Sequence, residues 1–256
     1  MADRFAKFVA DAEEALPRLP LFHNCDGLSF RDILSVDQLK PSKCSVFNEE
    51  LLYFFYGRPA YRAVKDGNAV SNNSLYPICI VVSPNAPLNP VRIAPFDTGA
   101  FAKGLYSGFM NPRMTRADFF AEPSTDSPPR IVRTFFGNND NYFHGKPVSL
   151  RIPPLEFEAR SYYDLILSSI TSPEDDRRQT VEVQVKDPLN LAEANVLLVI
   201  LPAEFLQEEE VRAGIKRWSA KVRTYPTFRW NPGEYTFAFF YHVEKYLRNR
   251  GFINER

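Results

Sequence analysis

Hydrophobic and polar positions recur along this chain with two periods, and the changes from one to the other divide it into short elements. Phe5, Phe8, Val9 and Ala12 stand at helical spacing and predict a helix over residues 2–15, stopped ahead of Pro17. The run Leu19-Pro20-Leu21-Phe22 predicts a short buried strand that delivers His23. Phe30, Ile33 and Leu34 then share one face of an amphipathic helix over Ser29 to Leu39, with Ser29 as its N-cap and Asp32 completing an acidic capping box. Leu51 to Phe55 predicts a second apolar strand. It runs into Tyr56-Gly57-Arg58-Pro59-Ala60-Tyr61, a turn at a sheet edge that presents a guanidinium.

Further along, the turn residues Asp66-Gly67-Asn68 precede Ile78 to Val82, a continuous apolar run expected for a buried central strand. Residues 84–97 hold four prolines and read as loop, with Val91 to Ala94 extended. A weak helical pattern covers Thr98 to Phe109, and a short helix is expected near Thr115 to Phe120. Residues 123–129 read as a proline and serine surface loop, and 137–141 as a turn. Leu155 to Ala159 alternates, and Ser161 to Ile170 fits a helix or a strand. Thr180 to Val185 alternates strictly, with Val181, Val183 and Val185 on one face and Glu182 and Gln184 on the other. Asn195 to Leu201 predicts another buried strand, and helices are expected over about 204–217 and 234–249. Short strands mixed with a few helices define an α+β class with a mainly antiparallel sheet, in one domain over 1–256.

Composition narrows the setting. Lys plus Arg equals Asp plus Glu at 31 each, so no global field draws the chain to nucleic acid or a membrane surface. Cys25, Cys44 and Cys79 are odd in number and unrelated in spacing, against a disulfide framework. The first twenty residues carry charge throughout, and no apolar run reaches membrane-spanning length. A soluble cytoplasmic protein with no membrane partner is expected.

Three side chains stand out chemically. Arg58 at its turn offers a fork of donors to an anion such as phosphate, or pairs with a carboxylate. His23 meets a ligand or only satisfies a backbone group, and its spacing to Cys25 fits no zinc site, so no metal is expected. Glu182 is solvated or set in a cleft, with Asp175-Asp176-Arg177-Arg178-Gln179 just upstream as a polar loop. His144 and His242 carry less weight. No P-loop, GxGxxG, GxSxG or HExxH motif occurs.

The order of LFH, DILSVDQLKP, YFFYGRPAY and TVEVQ after DDRRQ resembles the ADP-ribosyltransferase superfamily, most of all the group of DarT-type toxins. The resembling stretches cover about 21–62 and 172–187. The resemblance implies a split mixed sheet, mainly antiparallel with flanking helices, whose cleft cleaves NAD. It implies that His23 bonds a ribose hydroxyl, Tyr53 or Tyr56 stacks on nicotinamide, Arg58 contacts the pyrophosphate or helps to place the nucleotide, and Tyr61 lines the pocket. Glu182 would be the catalytic carboxylate. Thr180 stands two before Glu182 in place of a second glutamate, which speaks against arginine modification. The implied activity is ADP-ribosyl transfer to a macromolecule, a nucleic acid base or a protein side chain, by a toxin or phage-defence effector with an antitoxin or immunity partner. The alternatives are an NAD hydrolase and a non-catalytic nucleotide-binding module of the same fold.

Overall fold

The strands expected from the apolar runs form in the computed structural model, which describes residues 3–60, 72–168, 175–228 and 231–254. In chain order the strands are β1 (Leu21–Asp26), β2 (Gln38–Leu39), β3 (Ser42–Cys44), β4 (Glu49–Tyr56), β5 (Pro77–Val82), β6 (Pro90–Ala94), β7 (Glu182–Val185), β8 (Leu189–Asn190), β9 (Val196–Pro202) and β10 (Lys221–Tyr225). The main sheet runs β10-β9-β5-β1-β4-β7-β6, with β3 beside β4, and β2 pairs separately with β8. Its pairs are antiparallel except β9 with β10, so the sheet is mixed and the class is α+β.

Side chains along a strand alternate between faces, and here both faces are apolar. Ile78, Ile80 and Val82 of β5, Leu52 and Phe54 of β4, and Val183 and Val185 of β7 enter one core. That core is closed by α1 (Arg4–Ala10), α2 (Gly27–Val36), α4 (Ser127–Phe136), α6 (Phe157–Leu167) and α7 (Glu209–Arg217). Cys79, Val81, Phe22, Leu198 and Ile200 face the other way, against Phe143 of α5 (Asn139–Phe143) and Phe239, Val243 and Leu247 of α8 (Thr236–Asn249). The two-sided burial explains why β5 reads as an unbroken apolar run. Burying a side chain such as Ile80 contributes about 1.5–3 kcal/mol.

Several expectations are corrected. The N-terminal helix ends at Ala10, and Phe5 and Val9 pack among helices α4 and α6. The second helix starts two residues early, because Asp26, not Ser29, is its cap: the Asp26 carboxylate accepts from the Ser29 backbone N–H at 2.8 Å. Asp26→Ala is therefore expected to lower stability by about 1 kcal/mol and Ser29→Ala by far less, measured as shifts in the urea midpoint.

Of the proline and serine stretch, residues 123–126 are surface loop as expected, but Ser127, Pro128 and Pro129 are the buried first turn of α4, since Pro in the first turn gives up no intrahelical N–H bond. Residues 157–159 begin α6 instead of a strand, after a turn at Leu155, and the 98–109 pattern yields a helix only over Thr98–Ala102 (α3). The expected helix over 204–217 is divided into a 3-10 turn, Ala203–Gln207, and α7. Strand β10 was not expected at all. Asp66-Gly67-Asn68 and Tyr61 lie outside the described residues. Among the described residues no helix is long and apolar enough to cross a membrane, and all three cysteines are free thiols.

One seam positions everything that follows. β1 pairs with β5 along its whole length, from Leu21↔Val82 to Asp26↔Pro77, but with β4 only at Leu21↔Tyr56 and Phe22↔Phe55. Beyond Phe22 the two strands part, and the continuous sheet becomes two flanks.

Candidate active site

Where β1 and β4 part, the imidazole of His23 takes over from the ladder. Its Nδ1 donates to the Tyr53 carbonyl at 3.0 Å, and its ring lies 5.9 Å from that of Phe54. A carbonyl only accepts, so Nδ1 carries the proton. Burial pushes the imidazole below its ordinary pKa, against the opposing pull of the Tyr53 bond. A neutral ring protonated at Nδ1 leaves Nε2 as an acceptor.

The gap opens into a cleft of about 1090 Å³, bordered by His23, Tyr53, Phe55, Asp97 and Glu182, by α2 and the β2–β3 segment on one side, and by Gly233 and Thr236 near the start of α8 on the other. This lies at the upper end of small-molecule sites, which run about 300–1,000 Å³. Lys40 and Lys43 supply cationic charge on its wall, and the buried Oδ1 of Asn24, also on the wall, has no protein partner.

Glu182 opens β7, opposite Phe55 on β4 and Ala94 on β6. Cross-strand partners share a face, so the carboxylate stands on the Phe55 side, away from the valine core, as the alternation predicts. It is only 2% exposed. Oε1 accepts from Thr98 Oγ1 at 2.7 Å and Gln184 Nε2 at 2.6 Å, and Oε2 accepts from the Thr98 backbone N–H at 3.2 Å. Thr98 is held by Asp97, whose carboxylate caps α3 through the Ala100 N–H. Burial, aided by the nearby Asp97 charge, pushes the Glu182 carboxyl up to about 7, and the three donors hold it from going higher.

The strand alternation also separates the tyrosines. Tyr53 pairs with Gln184, on the same face as Glu182, and borders the cleft; its hydroxyl donates to Cys44 Sγ at 2.8 Å. Tyr56, three residues on, faces the opposite core, where its hydroxyl accepts from the Leu19 N–H at 2.9 Å.

Arg58 sits apart from the cleft wall. β4 is flanked on both sides and is not a sheet edge, and the turn after it folds inward. Gly57 makes that turn at φ 71°, with Leu19 Cδ1 only 2.4 Å from where a Cβ would stand. The guanidinium, 3% exposed, donates to the Tyr142 carbonyl at 2.9 Å and to Asp176 Oδ2 at 2.6 Å, under the rings of Tyr142 and Phe240. Of the two readings open for Arg58, these contacts are the carboxylate pair at a turn.

His23, Tyr53 and Glu182 therefore meet on one cleft, whereas Tyr56 and Arg58 serve the core beside it. Sequence reasoning missed Asp97 and Thr98. An Asp before a helical pattern is a capping signal that marks this pair, though not its approach to Glu182. His144 bonds the Asp140 carbonyl and Glu244, and His242 the Thr224 carbonyl. Among the described residues no group of three His, Cys, Asp or Glu side chains is placed to hold a metal ion.

No protein-family model matches this chain, and no curated protein matches it in sequence.

Proposed function

We propose that this chain is an NAD-dependent ADP-ribosyltransferase acting on a macromolecule, with Glu182 as its catalytic carboxylate. The observation that carries the reading is a buried carboxylate, Glu182, on the wall of a large cleft opened by parting strands, with Asp97 buried beside it and a neutral imidazole and a tyrosine face on the same wall. The resemblance in motif order supports it at His23, Tyr53 and Glu182.

In this reading the bond between nicotinamide nitrogen and ribose C1′ breaks, and nicotinamide leaves with the bonding pair as a neutral base. Positive charge develops on the sugar. A fixed carboxylate in a water-poor cleft stabilises that charge in the transition state more than in the ground state. An acceptor nucleophile then bonds C1′ and releases its proton. His23 Nε2 accepts from a ribose hydroxyl, Tyr53 offers its ring to the nicotinamide, and the ammonium groups of Lys40 and Lys43 face the pyrophosphate.

The carboxylate must be ionised to act, so nicotinamide release should rise with pH as a single ionisation near 7. The test is incubation with NAD at pH 5.5 to 8.5, following free nicotinamide with and without cell nucleic acid and cell protein. Release that needs a polymer supports transfer, and release in buffer alone indicates hydrolysis. No release under any condition removes the enzymatic reading in favour of a nucleotide-binding module.

A further inference from the structure

The donors around Glu182 are connected beyond the cleft. Gln184 is fully buried, and its amide faces two ways: Nε2 donates to Glu182 Oε1 at 2.6 Å and to Thr98 Oγ1 at 3.2 Å, while Oε1 accepts from Arg92 Nη1 at 3.3 Å. An amide side chain in such a site has two orientations that differ in which end meets the carboxylate. Arg92 has donors only. It therefore selects the orientation in which the carbonyl turns towards β6 and the NH2 towards Glu182.

Arg92 is itself held on several sides. It stands opposite Gln184 in the β6–β7 register. Its Nη2 donates to Glu49 Oε1 at 2.5 Å, and its guanidinium lies 4.5 Å from the centre of the Phe47 ring. Glu49 is shared with Lys186 at 2.7 Å. Every hydrogen bond in the sequence Arg92, Gln184, Thr98, Glu182 points towards the carboxylate. Such a one-way chain suits an ionised acceptor at its end, since a protonated Glu182 would set a donor against a donor.

We propose that Arg92, which does not border the cleft, is a positioning residue for Glu182: through the carbonyl of Gln184 it fixes which end of that amide meets the catalytic carboxylate. The catalytic part of this inference rests on the function proposed above, whereas the control of Glu182 does not. Removing the guanidinium frees the Gln184 amide to turn its carbonyl on Glu182, which penalises the charged form. Substrate contacts are left alone.

The experiment uses full-length protein with Arg92→Met and Arg92→Lys, and two readouts. In one, the Glu182 carboxyl is titrated by carbon NMR without substrate, with Glu182→Gln as the assignment control. In the other, nicotinamide release is followed against pH and NAD concentration. Arg92→Met is expected to raise the Glu182 midpoint by about one pH unit, the scale of one lost hydrogen bond to a charged group. At pH 7 it should lower kcat several-fold with KM within twofold, and Arg92→Lys should recover part of both.

A folded Arg92→Met protein whose Glu182 midpoint and kcat match the parent overturns the proposal. If the parent releases no nicotinamide but the midpoint still moves, Arg92 controls Glu182 and only the enzymatic reading fails. Turnover with an unmoved midpoint has the opposite meaning.

Discussion

Glu182→Gln should abolish nicotinamide release and, at the same time, make the protein more stable at alkaline pH. The two effects come from the same buried charge. The folded-state pKa of about 7 lies above the ordinary 4.5, so the folded protein holds this proton more tightly than the unfolded chain does. The stabilisation is fully present below pH 4.5 and is lost as pH rises through about 7, a decline of about 3 kcal/mol in all.

Glutamine cannot ionise, so the variant lacks that decline. The amide oxygen can keep the bonds from Thr98 Oγ1 and Gln184, but its NH2 then meets the Thr98 backbone N–H, a mismatch that costs about 1 kcal/mol. The net gain above pH 8 is about 1–2 kcal/mol. Urea denaturation of both proteins from pH 5 to 9 reads it directly. A variant that shows the parent's slope means that Glu182 is not the titrating group, and one that still turns over NAD means that it is not the catalytic one.

Arg58→Met should be the most damaging single change to stability, at about 3–5 kcal/mol. It leaves the buried Asp176 carboxylate without its guanidinium and removes the donor to the Tyr142 carbonyl. Tyr142 in turn donates to the Tyr56 carbonyl at 2.7 Å and accepts from the Val181 N–H at 3.0 Å, one residue before Glu182. The damage therefore reaches the start of β7. Adding Asp176→Leu should recover much of the loss, because two apolar side chains in place of a buried ion pair leave no stranded charge. NAD affinity in the folded single variant, measured by calorimetry at low temperature, should change less than threefold. A larger loss of affinity without a loss of stability would return Arg58 to the pyrophosphate, the role that motif order implies.

The two tyrosines and the arginine mark the boundary of what the sequence carried. Period-two alternation was enough to put Glu182 and Gln184 on one face of β7 and the valines on the other. The same rule applied to β4 distinguishes Tyr53 from Tyr56, because an odd spacing places them on opposite faces. The inward fold of Arg58 was not legible, since its partners Tyr142 and Asp176 are 84 and 118 residues away and nothing local announces them. The Pro128-Pro129 pair reads as loop because proline breaks helices everywhere except the first turn, and only the apolar stripe after it, Ile131, Val132 and Phe135, reveals which case applies. β10 carries no apolar signal because it is a half-exposed, charged strand, whose place beside β9 comes from pairing.

The parting of β1 from β4 also sets how far apart the reactive groups stand. Among the described residues the ladder between these strands spans Leu21 with Tyr56 and Phe22 with Phe55 alone, and Phe55 is in turn the neighbour of Glu182. The distance from imidazole to carboxylate is thus inherited from two phenylalanines, Phe22 in the core and Phe55 on the cleft wall. Trimming either ring would act like loosening the pivot of a pair of tongs: the jaws keep their teeth, but the grip width changes.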